Sequence, residues 1–132
     1  MRDLEIAGSG FDVLHNSKEW RIALHSFCGE VNGIVSFRQW GRHLDSEEAF
    51  VLLQGRAWLV TSGDGSTWDD CKVTHLSPDR LILVDRGERH AVILGEETKV
   101  LIIENLDMSN TVNEPIPEDV IRRIAADWEK GE

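Results

Sequence analysis

The length, composition and charge of this chain limit the classes of protein to which it can belong. With 132 residues and 14.9 kDa it fits a single domain spanning 1–132, because two hydrophobic cores would each be too small to offset the entropy of folding. Fourteen Lys and Arg against 24 Asp and Glu leave a formal charge of −10. This charge repels phosphate backbones and anionic lipid heads, so we expect neither nucleic acid nor membrane as a partner.

The chain carries no pattern of membrane insertion or export. None of its apolar stretches approaches the roughly 18 to 20 residues of a membrane span, and its first residues lack the basic and apolar blocks of a signal peptide. A soluble, cytoplasmic protein is therefore expected.

From about residue 20 to 106, short apolar stretches with period-two alternation are separated by Gly, Asp, Ser and Pro. We find no helix-period segment between them, so the pattern predicts antiparallel pairing in a barrel or sandwich. The predicted strands are Trp20–Phe27, Gly33–Trp40, Ala49–Leu53, Arg56–Thr61, Lys72–Leu76, Arg80–Val84, His90–Leu94 and Lys99–Glu104. The first 19 residues are compatible with an extra strand, an arm across a dimer partner or a partly loose segment.

The end of the chain predicts a short helix at about 117–129. Pro117 has the backbone angle of a first helical turn, and the acidic Glu118 and Asp119 suit the positive end of a helix. The residues that follow form one apolar stripe at helical spacing: Val120, Ile121, Ile124, Ala125 and Trp128. The helix is expected to pack outside the barrel.

Two segments combine metal-binding residue types with turn glycines. In the first, His43 is followed by Glu48 and Gly55; in the second, Gly87 is followed by His90. These spacings resemble the two motifs of the cupin superfamily over Val31 to about Asn105. The resemblance implies an all-β fold, an antiparallel double-stranded β-helix or jelly-roll barrel. It also implies that His43, Glu48 and His90 converge on a metal ion inside the barrel.

The residue types support such a site on chemical grounds. Two neutral imidazoles and one carboxylate on neighbouring strands can bind a divalent ion and leave coordination positions open. Fe, Mn, Ni and Zn all suit this ligand set, and no organic cofactor is expected. The sequence departs from the family pattern at Gly41, which occupies the position of the first histidine. A metal-free pocket therefore remains an alternative.

Two carboxylates are candidates for catalysis. Glu48 opens an apolar strand, where a buried carboxylate is costly unless it binds a metal or pairs with Arg42. Glu104 ends another apolar run and either faces the cavity as a second acid/base group or ends the strand in solvent. The remaining histidines fit no ligand spacing and are assigned core, interface or surface positions: His15, His25 and His75.

The leading functional hypothesis is a cupin that binds a polar or acidic small molecule beside the metal, with isomerase, lyase or oxygenase chemistry possible. The alternative is a metal-free module that senses a ligand or regulates, so whether the protein is an enzyme stays open. We expect a homodimer. Trp58 is predicted on the outer face of its strand, either in that dimer interface or under the C-terminal helix.

Overall fold

The computed structural model of the protein describes residues 1–67 and 70–131. Within these residues it contains ten strands, a short helix and a longer C-terminal helix. The strands are β1 (Gly10–Asn16), β2 (Trp20–Ser26), β3 (Gln39–His43), β4 (Glu48–Gln54), β5 (Ala57–Thr61), β6 (Lys72–His75), β7 (Leu81–Val84), β8 (His90–Leu94), β9 (Lys99–Asn105) and β10 (Thr111–Pro115). The helices are α1 (Gly29–Asn32) and α2 (Glu118–Glu129), and Ile34–Ser36 forms a 3-10 turn.

The strands form two five-stranded sheets. Their orders are β1-β2-β9-β4-β7 and β10-β3-β8-β5-β6, and every paired neighbour is antiparallel. Alternate apolar residues of both sheets point inward and form the barrel core: Ala23, Phe50, Leu52, Ala57, Leu59, Leu76, Val84, Leu94, Val100 and Ile102. The predicted all-β antiparallel barrel with a C-terminal helix is confirmed. No described helix is long and apolar enough to cross a membrane.

A second apolar cluster lies between α2 and the outer face of the second sheet. Trp128 of α2 meets Trp58 of β5 edge to face, with ring centroids 4.9 Å apart. Trp58 is therefore buried under the helix, and its predicted alternative position in a dimer interface is wrong. The predicted helix itself is confirmed, with Pro117 as its N-cap residue.

The predicted strand Gly33–Trp40 is wrong over its first half, where Ile34–Ser36 forms a 3-10 turn directly after α1. Asn32 holds α1 just before this turn, because its side-chain oxygen accepts from Cys28 N at 2.9 Å while its amide donates to Ser26 O at 2.8 Å. Such side-chain bonds to the backbone compete with strand pairing. The strand that follows begins at Gln39 and extends to His43, which carries the first motif into the barrel.

Both ends of the barrel segment gain a strand. Among the alternatives for the first 19 residues, the extra strand is the one observed, since β1 pairs with β2. The strand β10 was not predicted. It contains Asn113, Glu114 and Pro115, which have low strand propensity, and it is held by pairing with β3.

Candidate metal centre

The three predicted ligands lie together inside the barrel, on strands of both sheets. His43 ends β3, His90 begins β8, and these strands are neighbours in one sheet. Glu48 begins β4 in the other sheet. One ligand atom from each of the three lies within 4.8 Å of the other two. The arrangement brings two imidazoles and a carboxylate from opposite walls to one point.

The distances suit a shared ion. His43 Nε2 lies 2.6 Å from Glu48 Oε1, and His90 Nε2 lies 3.5 Å from the same oxygen. Two ligand atoms about 2.1 Å from a metal and at right angles to each other are about 3 Å apart. Glu48 Oε1 is buried and receives no hydrogen bond of proper geometry, in spite of these short contacts. The buried oxygen therefore lacks a hydrogen-bond donor where a cation would fit.

The contacts of Nδ1 in His43 and His90 determine which ring nitrogen carries the proton. His90 Nδ1 is 3.0 Å from Glu88 O, and a carbonyl oxygen can only accept. His43 Nδ1 is 2.9 Å from Thr111 Oγ1, whose own proton is donated to Met108 O at 2.7 Å. Each ring therefore carries its proton on Nδ1, and in the neutral form each Nε2 presents a lone pair to Glu48. Partners of this kind orient metal-binding histidines.

The charge of the site is negative when both rings are neutral. Burial by itself would raise the pKa of Glu48, but its contacts with His43 and His90 outweigh burial and lower the pKa to about 2. Burial lowers the pKa of His90, yet the Glu48 carboxylate and the Glu88 carbonyl raise it more, with a net upward shift. An ionised carboxylate facing two lone pairs attracts a proton or a metal ion at the same place.

Arg42 does not hold Glu48, so the predicted alternative of a structural Arg42–Glu48 pair is wrong. Its guanidinium donates to Gly87 O at 2.8 Å and to Asp64 O at 2.9 Å, and it lies 3.5 Å from Glu114 Oε1. Successive residues of a strand point to opposite faces, so Arg42 points away from the cavity that His43 enters. The side chains beside the Glu48 carboxylate are therefore those of His43 and His90.

The centre opens into a cavity of about 450 Å³. Phe50 and Val92 line it, whereas Leu52 packs in the barrel core. The full lining is Phe11, Arg21, His25, His43, Glu48, Phe50, His90, Ala91, Val92, Glu104, Met108 and Thr111. An apolar wall with a few polar groups is the usual setting for small-molecule binding.

Of the two alternatives for Glu104, the structure shows the one that faces the cavity. Its carboxylate is buried and accepts from Arg21 Nε at 2.5 Å, because Arg21 and Glu104 are direct partners across β2 and β9. Burial is the main cause that raises the pKa of Glu104, Glu48 adds to it, and Arg21 opposes both. A carboxyl with a raised pKa beside a cavity is suited to moving protons.

His25 is a cavity residue that the sequence analysis missed. It lies four residues after Arg21 on β2, on the same face, and its ring meets Phe11 edge to face at 5.0 Å. Burial lowers its pKa, which favours the neutral ring. The signal available was its spacing from Arg21, because residues an even number apart on one strand point to the same face. His75 instead stacks on Trp58 at 4.8 Å and His15 contacts Trp20, both outside the site.

Gly41 leaves room next to the metal ligands. It lies two residues before His43 on the same strand face and is the direct partner of His90. A Cβ built at Gly41 would have no neighbour closer than 3.9 Å. The backbone there therefore has room for a Cβ, although the chain carries no side chain at this position.

The two motif glycines are required by their backbone. Gly55 turns β4 into β5 with φ +89°, and a Cβ there would lie 2.2 Å from Thr98 Oγ1. Gly87 has φ +77°, and its N–H donates to His43 O at 2.8 Å. This bond ties the loop before His90 to the strand that carries His43.

The charged loop before His90 is partly buried, since Arg89 lies inside it while Asp85 and Arg86 are exposed. Arg89 is 1% exposed and donates to Glu114 Oε1 at 2.7 Å. It also donates to the carbonyl oxygens of Ser62, Gly63 and Gly65 at 3.3, 3.2 and 2.7 Å. The side chain therefore clamps the 62–65 loop and β10 next to the metal centre.

Comparison with known proteins gives matches among solved structures. No protein-family model matches the chain, and no curated protein is significantly similar to it in sequence. A cupin superfamily protein from Desulfitobacterium hafniense DCB-2 is 22% identical, with a TM-score of 0.53 over 77% of this chain and 84% of that one. The polyketide cyclase RemF from Streptomyces resistomycificus is 18% identical, with a TM-score of 0.59 over 89% and 82%.

A third match is the DMSP lyase DddQ from Ruegeria pomeroyi DSS-3, which is 17% identical with a TM-score of 0.50. That match covers 73% of this chain and 43% of the lyase. Identities at this level show the fold and leave the reaction undetermined. Together with the two-sheet barrel and the inward motif residues, these matches show that the chain has the fold of the cupin superfamily.

Proposed function

We propose that the protein is a metal-dependent cupin that acts on a small polar or acidic molecule. The observation that carries the proposal is the convergence of two Nε2 lone pairs and the ionised Glu48 on one buried point. A divalent ion bound there would polarise a carbonyl group or activate a water molecule. His43, Glu48 and His90 would hold it, and Thr111 and the Glu88 carbonyl would orient the two rings.

The cavity supports the proposed ligand class. At its polar side Arg21 and Glu104 form an ion pair, and the guanidinium can turn part of its donor set toward a carboxylate or hydroxyl of the ligand. Phe50 and Val92 line the same cavity and would contact the apolar part of the ligand. The cavity volume of about 450 Å³ suits a metabolite rather than a polymer.

Glu104 is proposed as the group that moves a proton. It lies in the same cavity as the metal ligands, and its raised pKa keeps part of its population protonated closer to neutral pH than an exposed carboxyl. Proton transfer beside a polarised carbonyl is the shared step of isomerases and lyases. The cyclase and lyase with this fold are in keeping with such chemistry.

The first experiment is elemental analysis of protein purified without an affinity tag or chelator. We expect close to one equivalent of Fe, Mn, Ni or Zn per chain, and its loss in His90→Ala. His75→Ala is the matched control, because His75 ends β6 and stacks on Trp58 outside the barrel cavity, so its loss should leave the metal content unchanged. Wild-type protein without metal that also gains no thermal stability from any of the four ions would contradict the proposal.

A second candidate function is a metal-free binding module, and Gly41 in place of the first histidine favours it. In this case His90 would carry a proton and pair with Glu48 directly. Small carboxylic acids would then raise the melting temperature of chelator-treated protein. A rise that appears only after metal is added would support the metal-dependent function instead.

A further inference from the structure

His25 lies on the cavity wall, and the proposed metal centre does not use its ring. It faces the cavity from β2, four residues after Arg21, with buried Ala23 between them. The ring of Phe11, the direct partner of His25 on β1, contacts both polar side chains. It meets the His25 ring edge to face at 5.0 Å, and the Arg21 guanidinium lies 5.5 Å from its centre. Arg21 and His25 are therefore held side by side on one wall.

Asn32 determines which nitrogen of His25 carries the proton. Its side-chain oxygen accepts from Cys28 N at 2.9 Å, and its amide nitrogen donates to Ser26 O at 2.8 Å. A backbone N–H can only donate and a carbonyl oxygen can only accept, so these two bonds fix the orientation of the amide group. The same amide nitrogen lies 3.1 Å from His25 Nδ1 and donates its second hydrogen there. Nδ1 is therefore an acceptor, and the neutral ring carries its proton on Nε2.

The contact with Asn32 also favours the neutral form of His25. A proton on Nδ1 would place two donors against each other and leave an amide hydrogen of Asn32, which is 1% exposed, without an acceptor. Such an unpaired buried donor costs free energy. Burial of the ring lowers its pKa further, and this effect is larger than the opposing effect of the Glu48 carboxylate. The ring is therefore a neutral imidazole with a single N–H donor.

Both His25 and Arg21 have a donor that no other group uses. Within residues 1–67 and 70–131, His25 Nε2 has no hydrogen-bond partner, although the ring lines the cavity. Arg21 Nε and Nη2 each lie 2.5 Å from Glu104 Oε2, whereas Nη1 has no partner in the same ranges. Neither donor can accept a hydrogen bond. The pair therefore selects a ligand group that presents acceptor oxygens.

We propose that His25 and Arg21 form a carboxylate-binding subsite of the cavity, in which His25 Nε2 and Arg21 Nη1 donate to one carboxylate group of the ligand. This inference rests on the proposed function, because it specifies how the same cavity recognises an acidic small molecule. Arg21 supplies the positive charge, and His25 supplies a neutral donor of fixed tautomer. Asn32 is a positioning residue that acts through His25.

The charges of the cavity are compatible with a further carboxylate. The proton or metal ion shared by the two histidines offsets the charge of Glu48. Glu104 has a raised pKa and can take up a proton when a ligand carboxylate approaches. Its protonation leaves the charge of Arg21 available to the ligand. Binding of an acid in this subsite therefore also supplies Glu104 with the proton that the proposed function requires.

The first test determines which nitrogens of His25 are protonated, by nitrogen nuclear magnetic resonance of the full chain at neutral pH. One sample is treated with a chelator, and a second is then loaded with Zn²⁺, which is not paramagnetic. We expect an unprotonated Nδ1 and a protonated Nε2 in both samples. A proton on Nδ1, or on both nitrogens, would overturn the proposal. Asn32→Asp should move the proton to Nδ1, because a carboxylate can only accept; an unchanged tautomer in this variant would overturn the role of Asn32.

The second test is titration of the same samples with sodium acetate as the carboxylate probe, followed on the backbone amide of Ala23. Sodium chloride at equal ionic strength gives the baseline. His25→Phe removes the donor and keeps an aromatic ring against Phe11, so the acetate dissociation constant should rise roughly tenfold or more. His25→Gln places an amide N–H near the position of Nε2 and should restore most of the affinity. His15→Phe is the matched control, because His15 contacts Trp20 outside the cavity.

Three results of the titration would overturn the proposal. These are the absence of a saturable shift in the wild-type protein, an unchanged dissociation constant in His25→Phe, and an equal loss in His15→Phe. Far-ultraviolet circular dichroism confirms that each variant is folded, and the tautomer of the wild-type protein decides the question if His25→Phe does not fold. Wild-type protein without metal would contradict the metal-dependent function and leave both tests of His25 valid, so the two failures are distinguishable.

Discussion

Replacement of Arg89 by methionine tests how the loop beside the metal centre is held. Methionine keeps the apolar stem and removes the guanidinium, which is 1% exposed and donates to Glu114 and to three carbonyl oxygens. The carbonyls of Gly63 and Gly65 lie in an exposed loop and can bind water in the variant. The carbonyl of Ser62 is buried, and the carboxylate of Glu114 is charged. The loss of the hydrogen bonds to these two groups therefore costs more free energy of unfolding.

We estimate the loss from these two groups. Hydrogen bonds to charged groups contribute about 1.5–3 kcal/mol each, and Glu114 keeps a second partner in Arg42, so we expect a loss of about 3 kcal/mol in the free energy of unfolding. For a chain of this length this corresponds to a melting temperature lower by about 10 °C.

The assay is urea unfolding followed by tryptophan fluorescence, with thermal unfolding in parallel. Arg86→Met is the matched control, because Arg86 is exposed in the same loop and should change stability by less than about 0.5 kcal/mol. A loss below about 1 kcal/mol in Arg89→Met, or an equal loss in Arg86→Met, would refute the role of Arg89 as the clamp of this loop.

Three further substitutions test the metal centre and the packing around the barrel. Thr111→Val removes the acceptor that orients His43 and should raise the metal dissociation constant about 10–100-fold in a chelator competition, while the fold is retained; unchanged affinity would argue against this orienting role. Gly55→Ala places a Cβ on a backbone with φ +89° and should cost about 2 kcal/mol or more in urea unfolding, so a neutral effect would show that the turn relaxes easily. Trp128→Ala empties the space between α2 and the second sheet and should cost about 3–5 kcal/mol by the same measurement, whereas exposed Lys130→Ala should cost little.

Local patterns predicted the regular parts of this protein. Period-two alternation placed β8 at its observed bounds, His90–Leu94, and placed β4, β5, β7 and β9 to within a residue or so. The alternation failed at the 3-10 turn Ile34–Ser36, which directly follows α1, where Asn32 bonds to nearby backbone groups. It also missed β10, whose strand conformation comes from its partner β3 rather than from its own residues.

The sequence by itself also determined the spacing of His43, Glu48 and His90, together with the two turn glycines at Gly55 and Gly87. Spacing along one chain is enough for this, because each motif is a strand end and its adjoining turn. The ligand set could therefore be named before any tertiary contact was known.

Only the tertiary structure decided which other side chains meet at the cavity and which surfaces remain uncovered. Nothing in the sequence around Arg42 and Arg89 indicated that both would donate to loop carbonyls beside the site. His25 and Glu104 line the same cavity as the metal ligands because β2 and β9, which are far apart in the chain, pair in one particular register. These side chains come together through pairing between strands that are distant in the sequence. Local residue patterns do not specify the register of that pairing.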